Sequence, residues 1–245
     1  MTSGISIHQV SFSYPQSKPL FFKLNLTIKP RSFLGITGTN GSGKSTLLYL
    51  LNGLIPHSIS GRFQGQVLVD NLTTSNHSVS ALAKKIGLVF QNPEFSLFNL
   101  TVKEELEFGL KNLQLANRSQ RINQALQLVN MAKFINRDPQ TLSFGQKQKI
   151  CLASVLALDT PYIVLDEPTA MLDYKSSVDL YQILVSLHQA GKTIIVVEHD
   201  TDFLLKYTES VLILDQGKIK ASGSTRTVLK KTKLLKSLGI KLAHL

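Results

Sequence analysis

The spacing of apolar and polar positions changes period along the chain and divides it into strands and helices. Three β-type runs come first, Ile5 to Tyr14, Leu20 to Ile28 and Phe33 to Thr37. The third passes directly into the glycine-rich GTNGSGKS and then into STLLYLLNGL, whose apolar positions recur at helical spacing. Further strand-like runs are QVLVD, IGLVF, YIVLD, TIIVVEH and SVLILD, with helical patterns between them, notably Ser176 to Ala190. Apolar strands alternating with helices predict an α/β fold whose mostly parallel sheet is covered on both faces.

Two regions depart from that alternation. From Glu94 to Asp159 the signals are almost only helical (VKEELEFGLKNL, SQRINQALQLVNMAKFI, GQKQKICLASVLALD). They predict a helical lobe over 94–159 inserted into an α/β core made of 1–93 and 160–225, with NPEF and NRDP as its turns. The N-terminal strands read instead as an antiparallel side layer. In residues 226–245, Lys230, Lys231, Lys233, Lys236 and Lys241 interleave with Leu229, Leu234, Leu235, Leu238 and Ile240. That spacing predicts a basic amphipathic helix: a solvated face or subunit contact in the simpler reading, a membrane-surface contact in the other.

Composition narrows the class. With 245 residues, 43% hydrophobic and 18% charged, the chain has the balance of an ordinary globular protein large enough for one substantial core. No run approaches the roughly 18 apolar residues that a transmembrane helix needs. MTSGISIHQV lacks a basic segment followed by an apolar one, so the expectation is a soluble, unexported protein. The single cysteine, Cys151, lies in an apolar helical stretch and reads as core packing. A net charge of +11 attracts polyanions (nucleotides, nucleic acid or an anionic leaflet) without choosing among them.

The chemistry begins at Gly38, Thr39, Asn40, Gly41, Ser42, Gly43, Lys44 and Ser45, which match the P-loop pattern G-x-x-x-x-G-K-[ST]. Glycines let main-chain N–H groups wrap a phosphate, and the following helix adds its positive end. Lys44 is expected on the β- and γ-phosphates, the Ser45 hydroxyl on Mg²⁺, and Thr46 in the same ATP-binding set. YIVLDEP places four apolar strand residues before Asp166 and Glu167. Ligands of open α/β sheets sit at the carboxyl ends of strands, so Asp166 is expected to hold the metal through water. Glu167, one residue on, is expected to polarise or deprotonate the attacking water.

LSFGQKQK, from Leu142 to Lys149, resembles the LSGGQ signature of ABC ATPases. AMLD, from Ala170 to Asp173, resembles their D-loop, and Gln91 in LVFQNPEF their Q-loop. His199 in VVEHD resembles their switch histidine, and Tyr14 in VSFSYP the aromatic residue that stacks on adenine. The shared order of these motifs spans most of the chain. The resemblance implies a P-loop NTPase (RecA-like) core, ATP and Mg²⁺ as ligands, and hydrolysis in a site closed by a second ATPase subunit. It implies that Gln91 senses the γ-phosphate and metal, and that His199 holds Glu167 and water in line. Ser143, Gly145 and Gln146 would close over nucleotide held by the partner, and Asp173 would bridge the two subunits. Phe144 stands where the family prefers glycine; a bulky residue there is expected to restrict the backbone and to crowd the incoming phosphate. That leaves two readings, a tolerated variant or an impaired half-site, and the second favours a different ATPase chain over a second copy as partner.

Within that family, FSYP, QNPEFSLFNLTVKEELEFGLKN and LDEPTAMLD resemble the ATPases of energy-coupling factor transporters, which import vitamins or transition-metal ions. The resemblance implies an integral membrane subunit docked near Gln91 and the helical lobe, a substrate-binding membrane subunit, and a place on the cytoplasmic face of the membrane. It also implies a pairing role for the C-terminal extension. The alternative is a soluble ABC ATPase acting on nucleic acid, against which the chain lacks the long coiled-coil or zinc insertions of such proteins; no nucleic acid is expected. The two-cassette translation type needs a longer chain, and the signature argues against a P-loop kinase.

Overall fold

The computed structural model describes residues 4–244. In chain order the first half contains β1 (Ile5–Ser13), β2 (Phe21–Ile28), β3 (Phe33–Gly38), α1 (Lys44–Leu51), α2 (Leu54–His57), β4 (Arg62–Val69), β5 (Leu72–Thr73), α3 (Val79–Ala83) and β6 (Ile86–Val89). Three helices follow without an intervening strand: α4 (Val102–Asn112), α5 (Arg118–Leu128) and α6 (Phe144–Ala157). The α/β alternation then resumes through β7 (Tyr162–Asp166), α7 (Tyr174–Gln189), β8 (Thr193–Val197), α8 (Thr201–Tyr207), β9 (Ser210–Asp215), β10 (Lys218–Ser224), α9 (Thr225–Leu229) and α10 (Thr232–Ser237).

The central sheet has the order β10-β9-β3-β8-β7-β6, parallel throughout except for β10, which returns antiparallel to β9 at the edge. A second, antiparallel sheet has the order β2-β1-β4-β5. The expected side layer is therefore present. QVLVD, which the alternation assigned to the parallel sheet, belongs to this layer as the end of β4. Its apolar run has the same look as a parallel strand, and only the hairpin to β5 and the pairing with β1 decide its direction.

Residue parity along the central strands fixes what each face meets. Ile163 and Leu165, Ile194 and Val196, and Val211 and Ile213 bury into the core shared with α4 to α7. Val164, Ile195 and Val197, and Leu212 and Leu214 bury into the core shared with α1 and the antiparallel layer. Period-two alternation thus divides one sheet between two cores.

The lobe's turns take the form of short 3-10 segments at Pro93–Phe95 and Pro139–Thr141, capped by the Asn92 and Asp138 side chains. The basic C-terminal segment does not form one amphipathic helix. It breaks into α9 and α10, with Leu229 and Leu235 fully buried and Leu234, Leu238 and Ile240 packed against the main core. The Lys241 ammonium pairs with Asp200 and Asp202 at 3.0 and 2.8 Å. Enough apolar residues turn inward, and enough charge is locally paired, to fold the segment back onto its own domain. Leu245 lies outside the described residues.

Leu152 on α6 is fully buried between the lobe and the sheet. Leu152→Ala should lower stability by about 2–5 kcal/mol, read as a fall in the urea midpoint at unchanged slope.

Candidate active site

The loop after β3 begins with Gly38, where only a residue without Cβ fits: an added Cβ would lie 1.8 Å from the Leu214 carbonyl oxygen on β9. Gly43 has φ +103° and stands immediately before α1, a left-handed turn that L side chains disfavour. The loop is tied to its neighbours by Thr39, whose hydroxyl donates to Asp215 at 2.9 Å, and by Ser42, whose carbonyl accepts from Gly217 N–H at 3.0 Å. The Ser42 hydroxyl is buried and unpartnered.

Lys44 is the first residue of α1 and is buried. Its Nζ donates to the Gly38 and Thr39 carbonyls at 3.2 and 3.0 Å, so the ammonium is curled under the loop rather than free in solvent. Burial pulls its pKa below the ordinary lysine value, and the charges of Glu167 and Asp166 oppose that shift. Main-chain carbonyls hold the ammonium loosely enough for a more strongly charged anion to compete for it.

Strand parity decides the roles of the two acids. Asp166 follows Tyr162 and Val164 on the α1 side of the sheet, which carries it to Ser45 and Lys44. Burial raises its pKa, and the Ser45 hydroxyl and Lys44 oppose the rise. One of its oxygens, Oδ1, is buried without a hydrogen-bond partner. An orphaned carboxylate oxygen beside a serine hydroxyl is an all-oxygen donor set of the kind that suits Mg²⁺. Glu167 leaves the strand at φ +46°, and its N–H donates to the Val197 carbonyl across to β8. That turn swings its side chain out of register. Its Oε2 accepts from Gln91 Nε2 at 2.9 Å and its Oε1 lies 2.8 Å from His199 Nε2.

A cleft of about 760 Å³ is lined by Asn40, Gly41 and Gly43 to Thr46 of the loop, by Gln91 and Glu167, and by Tyr14 at one side. Tyr14 packs edge-on against Phe12 and shares a 2.9 Å hydrogen bond with the Thr46 hydroxyl. The structure thus brings together Tyr14, the loop, Asp166, Glu167, Gln91 and His199. It does not bring Ser143, Gly145, Gln146 or Asp173 to this cleft. Ser143 caps α6 in a reciprocal capping box with Gln146, and an added Cβ at Gly145 would touch Ser176 and Leu172. Asp173 caps α7, and the donors of Ser176 hold its exposed carboxylate below the usual range.

Phe144 is the first residue of α6 and is absent from the left-handed backbone positions, so nothing in the main chain there requires glycine. The expected backbone restriction at this position does not arise.

Three groups escaped the sequence reading. Glu198 is buried beside His199 and accepts from the His199 and Asp200 N–H groups at 2.8 and 3.1 Å. Strand alternation carries the signal for it, because Glu198 must face away from the side that His199 faces. Glu105 and Lys147, both buried, organise the loop after Gln91. The Glu105 carboxylate accepts from the Phe98 and Asn99 N–H groups at 3.0 Å each, and Lys147 pairs with Glu94 at 2.9 Å. Charged residues on helices give no periodic cue of burial.

The sequence profile of the ABC transporter family matches residues 21–170. The energy-coupling factor transporter ATP-binding protein EcfA of Carboxydothermus hydrogenoformans is 36% identical, over 98% of this chain and 88% of its own length. Among solved structures, CbiO1 from Clostridium perfringens, part of the ABC transporter complex cbiONQ, is similar with a TM-score of 0.83 and 28% identity, covering 98% of this chain and 95% of that one. The dimeric ATP-binding cassette MJ0796, bound to ADP and inorganic phosphate after hydrolysis, is similar with a TM-score of 0.77 and 30% identity, covering 91% and 99%.

Lys44→Ala removes the one cation inside the loop. It should lower ATP turnover by about 100-fold or more and abolish binding of a fluorescent ATP analogue; undiminished binding would show that the loop holds phosphate without it.

Proposed function

Because the chain belongs to the ABC transporter family of ATP-binding, ATP-hydrolysing subunits, we propose that it powers a membrane uptake transporter of the energy-coupling factor type, importing a vitamin or a transition-metal ion. One observation carries the hydrolytic reading. The Glu167 carboxylate is held between Gln91 and His199 at the mouth of the loop that buries Lys44.

ATP lies with its phosphates against the N–H groups of Gly38 to Ser45 and the Lys44 ammonium, and with adenine beside Tyr14. Ser45 and Asp166 would hold Mg²⁺, with Gln91 on the same cleft; the ion would neutralise charge that gathers on the phosphoryl oxygens. Glu167 takes up a proton from the attacking water, and His199, hydrogen-bonded to its other oxygen, fixes its direction. The loop's N–H groups and Lys44 stabilise the developing charge, since they are already oriented and need no reorganisation.

A second ATPase chain completes each site. Ser143, Gly145 and Gln146 lie at the start of α6, where the Phe144 and Gly145 N–H groups, outside the Ser143–Gln146 capping box, face an anion on another subunit. Asp173 is exposed beside them and is placed to bridge the two chains. The dimeric state of MJ0796 and the sequence kinship to EcfA support this reading. Phe144 on that surface favours a partner whose chain is not identical.

The membrane partner is expected at a second cleft of about 550 Å³ that starts at Ser45, Asp166 and Gln91 and runs out between Tyr49, Phe90, Phe95 and Phe98. Phe95 is 88% exposed, Phe98 63% and Leu100 80%. So large an apolar set on a monomer marks a binding surface. Among the described residues no helix is long and apolar enough to cross a membrane. Kinship to transporter ATP-binding subunits supports a place at the cytoplasmic face of the membrane, held by an integral membrane subunit that itself joins a substrate-binding one.

Glu167→Gln should keep ATP affinity, lose at least about 100-fold in turnover, and trap an ATP-dependent dimer visible by light scattering; rapid turnover would place the general base elsewhere. Phe95→Asp with Phe98→Asp should leave ATP binding intact and prevent co-purification of an integral membrane protein. Recovery of the same membrane protein would refute the docking groove.

A further inference from the structure

One buried acid takes no part in the hydrolytic reading. Positions 194 and 196 of β8 face the core shared with α7, and positions 195 and 197 face the core shared with α1. Past the strand's end the same alternation sends Glu198 toward α7 and His199 toward the nucleotide cleft. Glu198 is 4% exposed, and its four hydrogen-bond donors are all neutral.

The two carboxylate oxygens of Glu198 hold different things. Oε1 accepts from the main-chain N–H of His199 at 2.8 Å and of Asp200 at 3.1 Å. Oε2 accepts from the Thr169 hydroxyl and, at 3.3 Å, from Tyr181 on α7. Thr169 stands two residues beyond Glu167. The buried carboxylate therefore grips the main chain at His199 and a side chain just past Glu167. The His199 side chain is 44% exposed, so packing around the ring does little to fix it; its anchored main chain must.

We propose that Glu198 is a positioning residue for hydrolysis, keeping His199 Nε2 in contact with Glu167 Oε1 by tying the His199 main chain to Thr169 and Tyr181. This rests on the reading that Glu167 and His199 direct the attacking water. Because Glu198 lies behind the sheet and does not line the cleft, it acts on kcat and leaves ATP affinity alone. Its link through Thr169 also ties His199 to the segment that leads to Asp173, the side of the domain turned toward a second subunit.

Steady-state turnover and nucleotide binding of the full chain test this. Glu198→Leu should lower kcat by about 10–100-fold, in the range seen when an orienting partner is removed, with KM for ATP held within about twofold. Glu198→Gln should stay within about threefold of the natural chain. Its amide oxygen still accepts from both main-chain N–H groups, and its N–H donates to the two hydroxyl oxygens. A residue that serves folding alone would give Leu and Gln variants that differ in melting temperature and not in kcat per folded molecule, and that result would overturn the proposal. So would a Gln variant as slow as the Leu variant, or a loss that falls on KM. If Glu198→Leu does not fold, Thr169→Val replaces it, with a severalfold drop in kcat expected and an unchanged kcat refuting the link. Glu167→Gln and His199→Ala run alongside. Wild-type turnover in both sinks the hydrolytic reading and this inference together, whereas their collapse beside a fully active Glu198→Leu sinks this inference alone.

Discussion

Parallel strands buried on both faces leave nowhere along their length for a charged group to sit. Every strand of the central sheet but the edge strand β10 is apolar through its middle, because the two cores meet it from opposite sides. Polar groups from the sheet therefore gather at the strands' carboxyl ends: Gly38 at the end of β3, Asp166 and Glu167 at the end of β7, Glu198 and His199 after β8, and Gln91 after β6. The strands stand side by side as β3, β8 and β7, so those ends converge in one cleft. The cleft exists because the sheet excludes these groups from everywhere else.

Parity then separates the groups that the ends deliver. Odd and even positions leave on opposite faces, so Asp166 goes to the α1 side and Glu198 to the α7 side, while His199 returns to the cleft. Glu167 escapes this rule only by turning to a left-handed backbone at φ +46°. That turn lets two consecutive acids serve one phosphate site. Burial raises the pKa of Asp166 beside a lysine whose pKa burial lowers, a pairing of charges kept from full solvation until an anion and a cation arrive together.

Much of this was legible in the residues. The phosphate loop, the acids and the run of helices between them follow from local spacing, and local spacing is what a chain writes most clearly. What depends on distant pairing was less visible. QVLVD and IGLVF look alike, yet one pairs antiparallel in the side layer and the other parallel in the central sheet. The lysine-rich C-terminal segment shows helical spacing, but spacing does not reveal that Asp200 and Asp202 wait for Lys241, or that the leucines have a core to join. Glu105, Lys147 and Glu198 were hidden for a related reason. Each is a charged residue that is buried because main-chain groups or an opposite charge from elsewhere in the fold satisfy it.

The ties between the loop after Gln91 and helix α6 have a mechanical consequence. Lys147 holds Glu94, Gln140 donates to the Leu97 carbonyl at 2.8 Å, and Glu105 fixes Phe98 and Asn99. The apolar cleft is thereby tied to the start of α6 through Lys147 and Gln140 and to α4 through Glu105. Those ties connect the Ser143 end of α6 to Phe95 and Phe98 through side-chain contacts as well as through the chain. The surface that meets solvent at the start of α6 and the one that meets it at Phe95 are thus cross-braced, although more than forty residues of chain separate them.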